Sequence, residues 1–303
     1  MNKIKIAFFG TSDRSLPILE KLKLNFDLDL CVTKSDSKFG RKQLLKETEV
    51  KKWAKQNSIK FFEIDKLSKD VAHELANALG TYQIDVGVVA DFSFIIPEEV
   101  INAPKFKLIN IHFSLLPKYR GASPVQFALL NGETKTGITY YLMDKNMDTG
   151  EILSQIEYKI PQNITAGALY KEMFVEAAEK LPEVINGYVK SEITPLSQDN
   201  SKATYTNSKT HPKNTFIYKE DAKIDFKQTP VQIERQIRAF NPWPIAWTTL
   251  GELNLKLKND KNGDLKVKIF EAEIENDELN IKRLQVEGGK VLDWQQFKNG
   301  FIQ

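Results

Sequence analysis

Short apolar runs rich in β-branched and aromatic residues alternate with longer amphipathic stretches through the first half of the chain. The runs at 3–9, 28–33, 60–64, 85–90 and 107–112 read as strands, and the stretches near 14–24, 47–57 and 68–79 as helices. In the first of these helices Leu16, Leu19 and Leu22 share a stripe, while Glu20, Lys21 and Lys23 face solvent. Strands alternating with helices imply parallel pairing and a doubly wound sheet. Such sheets bind ligands beyond the carboxyl ends of their strands, which directs attention to residues 10–12, 90–97 and the segment after His112. A helix is expected at 122–131, strands at 137–143 and 151–158, and a long helix over 166–189. Residues 190–206 are polar with few apolar anchors and read as a linker. Beyond them, Thr229 as cap, Pro230 in the first turn and Gln232 reaching back predict a helix start. The remainder offers short runs at 253–257, 265–270, 279–281, 285–286 and 291–294, the pattern of a small β-barrel, with an exposed hairpin near 258–268. The expected division is therefore 1–189, a linker over 190–206, and 207–303.

Composition narrows the class. A chain of 303 residues suggests two domains, and 41% hydrophobic with 27% charged residues is globular rather than disordered. A net charge of +3 neither demands nor excludes a nucleic-acid partner. No run approaches the ~20 apolar residues of a membrane helix, and the opening residues lack the apolar core and cleavage site of a signal peptide. The expected location is the cytoplasm. The single cysteine, Cys31, excludes an internal disulfide framework and reads as a small buried hydrophobe. Of three histidines, His73 reads as a structural or solvent-facing residue in a helical pattern and His211 as a surface residue, and no metal is expected. Gly10 is a turn glycine outside any GxGxxG fingerprint.

The densest chemistry lies at 110–124, where Asn110 and His112 are two apart on a strand and project from one face at its carboxyl end. Downstream, the turn 143–150 carries Asp144 and Asp148. An amide donor, an imidazole and a carboxylate suit acyl transfer: the amide binds an oxyanion, the imidazole moves protons and the carboxylate orients it. The residues alone do not separate this from a satisfied structural cluster.

The runs 110–124 and 143–150 together resemble the signature of the formyltransferase superfamily that uses 10-formyltetrahydrofolate. The opening 8–13, the segment 237–244 and the closing 284–290 are similar to the branch of that superfamily acting on tRNA, so the resemblance spans nearly the whole chain. It implies a Rossmann-like catalytic domain followed by an OB-like barrel that binds tRNA. By position it implies Asn110, His112 and Asp148 as the catalytic trio, and Ser114, Leu115, Leu116 and Pro117 as the lining of the folate site. It further implies Arg41 and Lys42 in a loop toward the tRNA acceptor end. The implied reaction moves the formyl group of 10-formyltetrahydrofolate to the α-amine of initiator methionyl-tRNA, with a monomeric enzyme and no metal. Sugar-amine formyltransferases and a 10-formyltetrahydrofolate hydrolase share the catalytic motif and stand as alternatives. Residues 207–303 hold 16 Lys or Arg against 14 Asp or Glu, so tRNA contact there rests on local patches and on the resemblance.

Overall fold

The computed structural model describes residues 3–39, 44–258 and 263–303. In chain order the elements are β1 (Lys5–Phe9), α1 (Leu16–Asn25), β2 (Asp27–Lys34), β3 (Ser37–Phe39), β4 (Leu44–Lys46), α2 (Glu49–Gln56), β5 (Lys60–Ile64), α3 (Lys69–Thr81), β6 (Val86–Val89), α4 (Glu98–Ile101) and β7 (Leu108–His112). They continue with α5 (Pro124–Leu130), β8 (Lys135–Leu142), β9 (Ile152–Lys159), α6 (Ala166–Val189), α7 (Pro230–Ala239), β10 (Ala246–Thr249), β11 (Lys266–Glu275), β12 (Glu278–Val286), β13 (Val291–Asp293) and α8 (Trp294–Phe301). The chain divides into two compact units. One holds Met1–Arg120, Gly137–Tyr158 and Tyr170–Thr204, and the other Gly121–Thr136, Lys159–Leu169 and Tyr205–Gln303.

The first unit is built on a seven-stranded sheet in the order β5-β2-β1-β6-β7-β8-β9. Strands β5, β2, β1, β6 and β7 run parallel, and β8 pairs antiparallel with β7. Central strands are covered on both faces, which is why β1 and β6 read as unbroken apolar runs rather than alternating ones. Strand β6 carries Gly87 because a Cβ there would lie 2.1 Å from the Leu108 side chain on β7. Ala7, Phe9, Leu30, Val32, Leu75 and Leu79 share one core. Strand order reverses between β1 and β6, so the turns after β1, β6 and β7 gather at the carboxyl edge, as the alternating pattern predicts.

Helix α1 starts at Leu16, which is half-buried, and buries Leu19 and Leu22 of the expected stripe together with Ile18. Helix α6 covers the expected 166–189. Cys31 is fully buried, and burial pushes its thiol up to about 12, as expected of an inert hydrophobe. Among the described residues no helix is long and apolar enough to cross a membrane.

In the second unit an antiparallel sheet in the order β10-β11-β12-β13 packs with α7 and α8 around Ile233, Ile237, Val267, Ile269, Leu284 and Phe297. The predicted start of α7 is present: Thr229 accepts from the Gln232 amide nitrogen while the Gln232 side chain returns to the cap. Three strand expectations are corrected. Residues 253–257 form no strand: a 3-10 turn over Gly251–Leu253 ends at Asn254, which adopts a left-handed φ of 52°. The runs 279–281 and 285–286 are one strand, β12, whose intervening Lys282 pairs outward with Glu273 on β11. Trp294 opens α8, with Asp293 capping and Gln296 completing a capping box.

The turn preceding this sheet is organised by Asp221, only 5% exposed. Its carboxylate accepts from the Ser208 and Thr210 hydroxyls and from the amides of Thr210 and Tyr218, all within 2.9 Å. Burial alone would raise this carboxyl group, but the donors outweigh it and hold it below its ordinary value. A depressed folded value means the carboxylate stabilises the fold above the ordinary Asp range, and that this is lost as pH falls through the folded value. Asp221→Asn is therefore expected to cost roughly 2–3 kcal/mol at pH 7, with the deficit closing in acid. Denaturant midpoints at both pH values check this; a deficit independent of pH would contradict it.

Candidate active site

Strand β7 presents Asn110 and His112 from one face at its carboxyl end, with Asn110 half-buried and His112 only 5% exposed. Antiparallel register sets Tyr141 on β8 directly opposite Asn110. The Asn110 amide donates to the Tyr141 hydroxyl at 3.1 Å, and that hydroxyl donates to Asp148 Oδ1 at 2.7 Å. The chain of donors has one direction. An ionised carboxylate only accepts, so Tyr141 must spend its single proton on Asp148 and accept from the amide. Burial, and next the Asp148 charge, hold the Tyr141 phenol well above its ordinary value, so it stays a protonated donor.

Asp148 Oδ2 lies 3.8 Å from His112 Nδ1. This is too long for a hydrogen bond, so the carboxylate faces the Nδ1 edge of the ring without bonding to it. The other ring nitrogen, Nε2, sits 2.9 Å from the Tyr119 carbonyl. A carbonyl only accepts, so Nε2 carries hydrogen, and in the neutral ring Nδ1 holds the lone pair. The structure thus brings Asn110, His112 and Asp148 together.

The turn bearing Asp148 is built for tightness. Asp148 adopts φ 55°, and a Cβ at Gly150 would stand 1.7 Å from the Leu142 carbonyl oxygen. Asp144 caps this turn, accepting from the Asn146 amide at 3.0 Å and the Thr149 hydroxyl at 2.7 Å.

The four residues expected to line a folate site are not equivalent. Ser114 is fully buried and gives its hydroxyl hydrogen to the Lys118 carbonyl, and Leu116 is buried as well. Leu115 and Pro117 remain half-exposed. Thr139 and Gln155 fix this loop: Thr139 donates to the Ser114 carbonyl, and Gln155 to that of Leu116. Facing the same carboxyl edge, the turn after β6 holds half-buried Phe92 and Phe94 with ring centroids 5.5 Å apart, beside Ile95 at 80% exposure. Asp91 at φ 55° ties that turn to the one after β1 by accepting from the Ser12 hydroxyl and from Arg14. Arg41 and Lys42 lie outside the described residues.

Three contributors escape the sequence reading. Tyr141 links the trio, but strand register has no local signature. Arg120, 1% exposed, and Gln198 lie behind the Asp148 turn, where Gln198 donates to the carbonyls of Asp148 and Gly150 at 2.9 and 2.7 Å. The place of Arg120 within the 110–124 motif is the one available signal for the pair.

Residues 4–185 match the family described as formyl transferase, and residues 216–302 match the formyl transferase C-terminal domain. Among curated relatives, the methionyl-tRNA formyltransferase of Clostridium novyi is 36% identical over 84% of this chain and 79% of that one. Its namesake in Clostridium acetobutylicum is 35% identical over 95% and 90%. Among solved structures, a methionyl-tRNA formyltransferase from Clostridium thermocellum aligns at TM-score 0.55 and 18% identity, covering 94% of this chain and 100% of that one. An N-formyltransferase from Helicobacter canadensis, in complex with folinic acid and dTDP-3-aminofucose, aligns at TM-score 0.59 and 24% identity over 97% and 99%. These two structures support the fold, and the domain matches and closer relatives carry the rest: the chain belongs to the formyl transferase family.

Proposed function

We propose that this protein transfers the formyl group of 10-formyltetrahydrofolate to the α-amine of methionyl-initiator tRNA, with Asn110, His112 and Asp148 as the reacting constellation. The observation that carries this reading is the directed array from Asn110 through Tyr141 to Asp148, with His112 beside it. Relatives at 35–36% identity that bear the methionyl-tRNA name support the choice of acceptor.

The apolar turn of Phe92, Phe94 and Ile95, with half-exposed Leu115 and Pro117, suits a flat heteroaromatic ligand at the carboxyl edge of the sheet. When bound there, 10-formyltetrahydrofolate supplies the formyl carbon. A peptide-like α-amine has a pKa of about 7.7–8.0, so a useful fraction is neutral near pH 7 without a strong base. One Asn110 amide hydrogen is committed to Tyr141, and the other is directed to the formyl oxygen as charge develops. As the amine attacks the formyl carbon, His112 Nδ1 takes the proton it releases and Asp148 stabilises the resulting imidazolium; as the bond from that carbon to N10 breaks, the ring returns the proton to the departing folate nitrogen. Ser114 and Leu116 act by shaping the folate loop from within, and Leu115 and Pro117 by contact. Arg41 and Lys42 meet the acceptor end of the tRNA, and residues 207–303 carry further tRNA contact. The reading has the protein act as a monomer and puts the reaction in the cytoplasm.

The test is transfer of labelled formyl from 10-formyltetrahydrofolate to initiator methionyl-tRNA, with elongator methionyl-tRNA and an amino-sugar nucleotide as parallel acceptors. Selective labelling of the initiator is expected. Labelling of the sugar alone would keep the chemistry and overturn the acceptor, and hydrolysis without transfer would make the protein a hydrolase.

A further inference from the structure

The segment after α6 has the composition of a connector, yet its polar side chains reach back to the catalytic turn. Gln198 spends every hydrogen-bonding capacity of its amide. Its Nε2 donates to the carbonyls of Asp148 and Gly150 at 2.9 and 2.7 Å, and its Oε1 accepts from Arg120 Nε and Nη2 at 3.2 and 2.7 Å. Arginine has no acceptor and a carbonyl has no donor, so only one orientation of the amide satisfies all four partners. Arg120 is buried to 1% exposure, and its Nη2 also donates to Asn200 Oδ1 at 2.7 Å.

A few residues on, Thr204 grips the other wall. Its hydroxyl accepts from the Tyr119 amide at 2.8 Å, its carbonyl accepts from the Arg120 amide at 2.8 Å, and its own amide donates to the Pro117 carbonyl at 3.2 Å. Tyr119, at φ 58°, supplies the carbonyl that receives His112 Nε2–H. One stretch, 198–204, therefore fixes both backbone positions that define the site. It holds the left-handed turn aiming the Asp148 carboxylate and the left-handed residue aiming the His112 ring. Left-handed backbone at a non-glycine residue is strained and persists only where neighbours over-determine it. Gln198 and Thr204 supply that constraint.

We propose that Gln198, buttressed by Arg120, is a positioning residue for formyl transfer: it sets the Asp148–His112 geometry through the backbone of the 148–150 turn, and Thr204 sets it through Tyr119. This rests on the reading of Asn110, His112 and Asp148 as the reacting groups.

Gln198→Ala removes the clamp. Gln198→Glu keeps an acceptor for Arg120 but sets carboxylate oxygens against two carbonyls in place of the amide hydrogens. Both are expected to lower kcat by roughly 10- to 50-fold, the scale of a sub-ångström misplacement, with KM for 10-formyltetrahydrofolate within about twofold. The chain has only three histidines, so ring 15N spectra of labelled protein resolve His112. In both variants its signals are expected to move while those of His73 and His211 stay. Isosteric Thr204→Val, which loses only the acceptor for the Tyr119 amide, is expected to move the same His112 signals with a smaller loss of kcat. A merely structural role would lower the unfolding temperature yet leave His112 signals and kcat of the folded protein at wild-type values. That result, or full activity in Gln198→Glu, overturns the proposal. A wild-type protein that transfers no formyl group would instead overturn the functional reading, and the ring spectra would still report whether the clamp sets His112.

Discussion

His112→Ala is expected to lower formyl-transfer turnover by about 10³-fold, within the range that a positioned acid–base group contributes. The ring is nearly buried, with Nε2 held by the Tyr119 carbonyl and Nδ1 left to handle the proton beside Asp148. No other described side chain offers an imidazole at this edge, since His73 is 72% exposed on α3 and His211 lies in the second unit. The loss should fall on kcat, because the proposed reaction has the ring act on the reacting nitrogens rather than on folate binding. Steady-state turnover together with folate binding by fluorescence checks this. A variant with near-normal kcat removes His112 from the chemistry, and a loss confined to folate affinity reassigns it to binding.

The second large effect is expected from Asp148→Asn. If the new amide keeps its oxygen toward Tyr141, its uncharged nitrogen faces His112 Nδ1 in place of a carboxylate oxygen. If it turns over, Tyr141 meets a donor and the array from Asn110 reverses. Either way the negative charge that stabilises the imidazolium is gone. Turnover should fall about 10²-fold, equivalent to roughly 2.7 kcal/mol of transition-state stabilisation. Folate affinity should hold, because the carboxylate is engaged by Tyr141 and His112 behind the reacting centre. Isothermal titration with folate and single-turnover transfer separate the two quantities. Near-normal turnover would strike Asp148 from the trio.

The architecture of the first half is legible because its two periodicities are strong: unbroken apolar runs for strands covered on both faces, and amphipathic stripes between them. The spacing of Asn110 and His112 on one strand is local, so the sequence alone brings them to one face. Asp148 follows from the motif it sits in. Tyr141 does not, because its pairing with Asn110 depends on which residue of β8 falls opposite, a property of two distant segments. Gln198 is hidden for a different reason. A polar residue that holds backbone carbonyls contributes nothing to hydrophobic periodicity, so the stretch around it looks like an untethered connector. In the second unit, Lys282 and Arg283 split the apolar signal of β12 although their charges point outward. Helix α8 is short, and its Asp293–Gln296 cap outweighs a pattern that also fits a strand.

The second unit draws on three separate stretches of chain, 121–136, 159–169 and 205–303, so its inheritance is not modular. Gly132, just beyond α5, shows what this entails: at φ 70°, a Cβ there would stand 2.1 Å from the Arg235 guanidinium carbon on α7. A chimera that joins the front of one relative to the last hundred residues of another unites a Gly132 region and an Arg235 region that never evolved together. Exchanging the second unit between members of this family therefore calls for transplanting all three stretches at once, with the loop after α5 travelling alongside the C-terminal sheet.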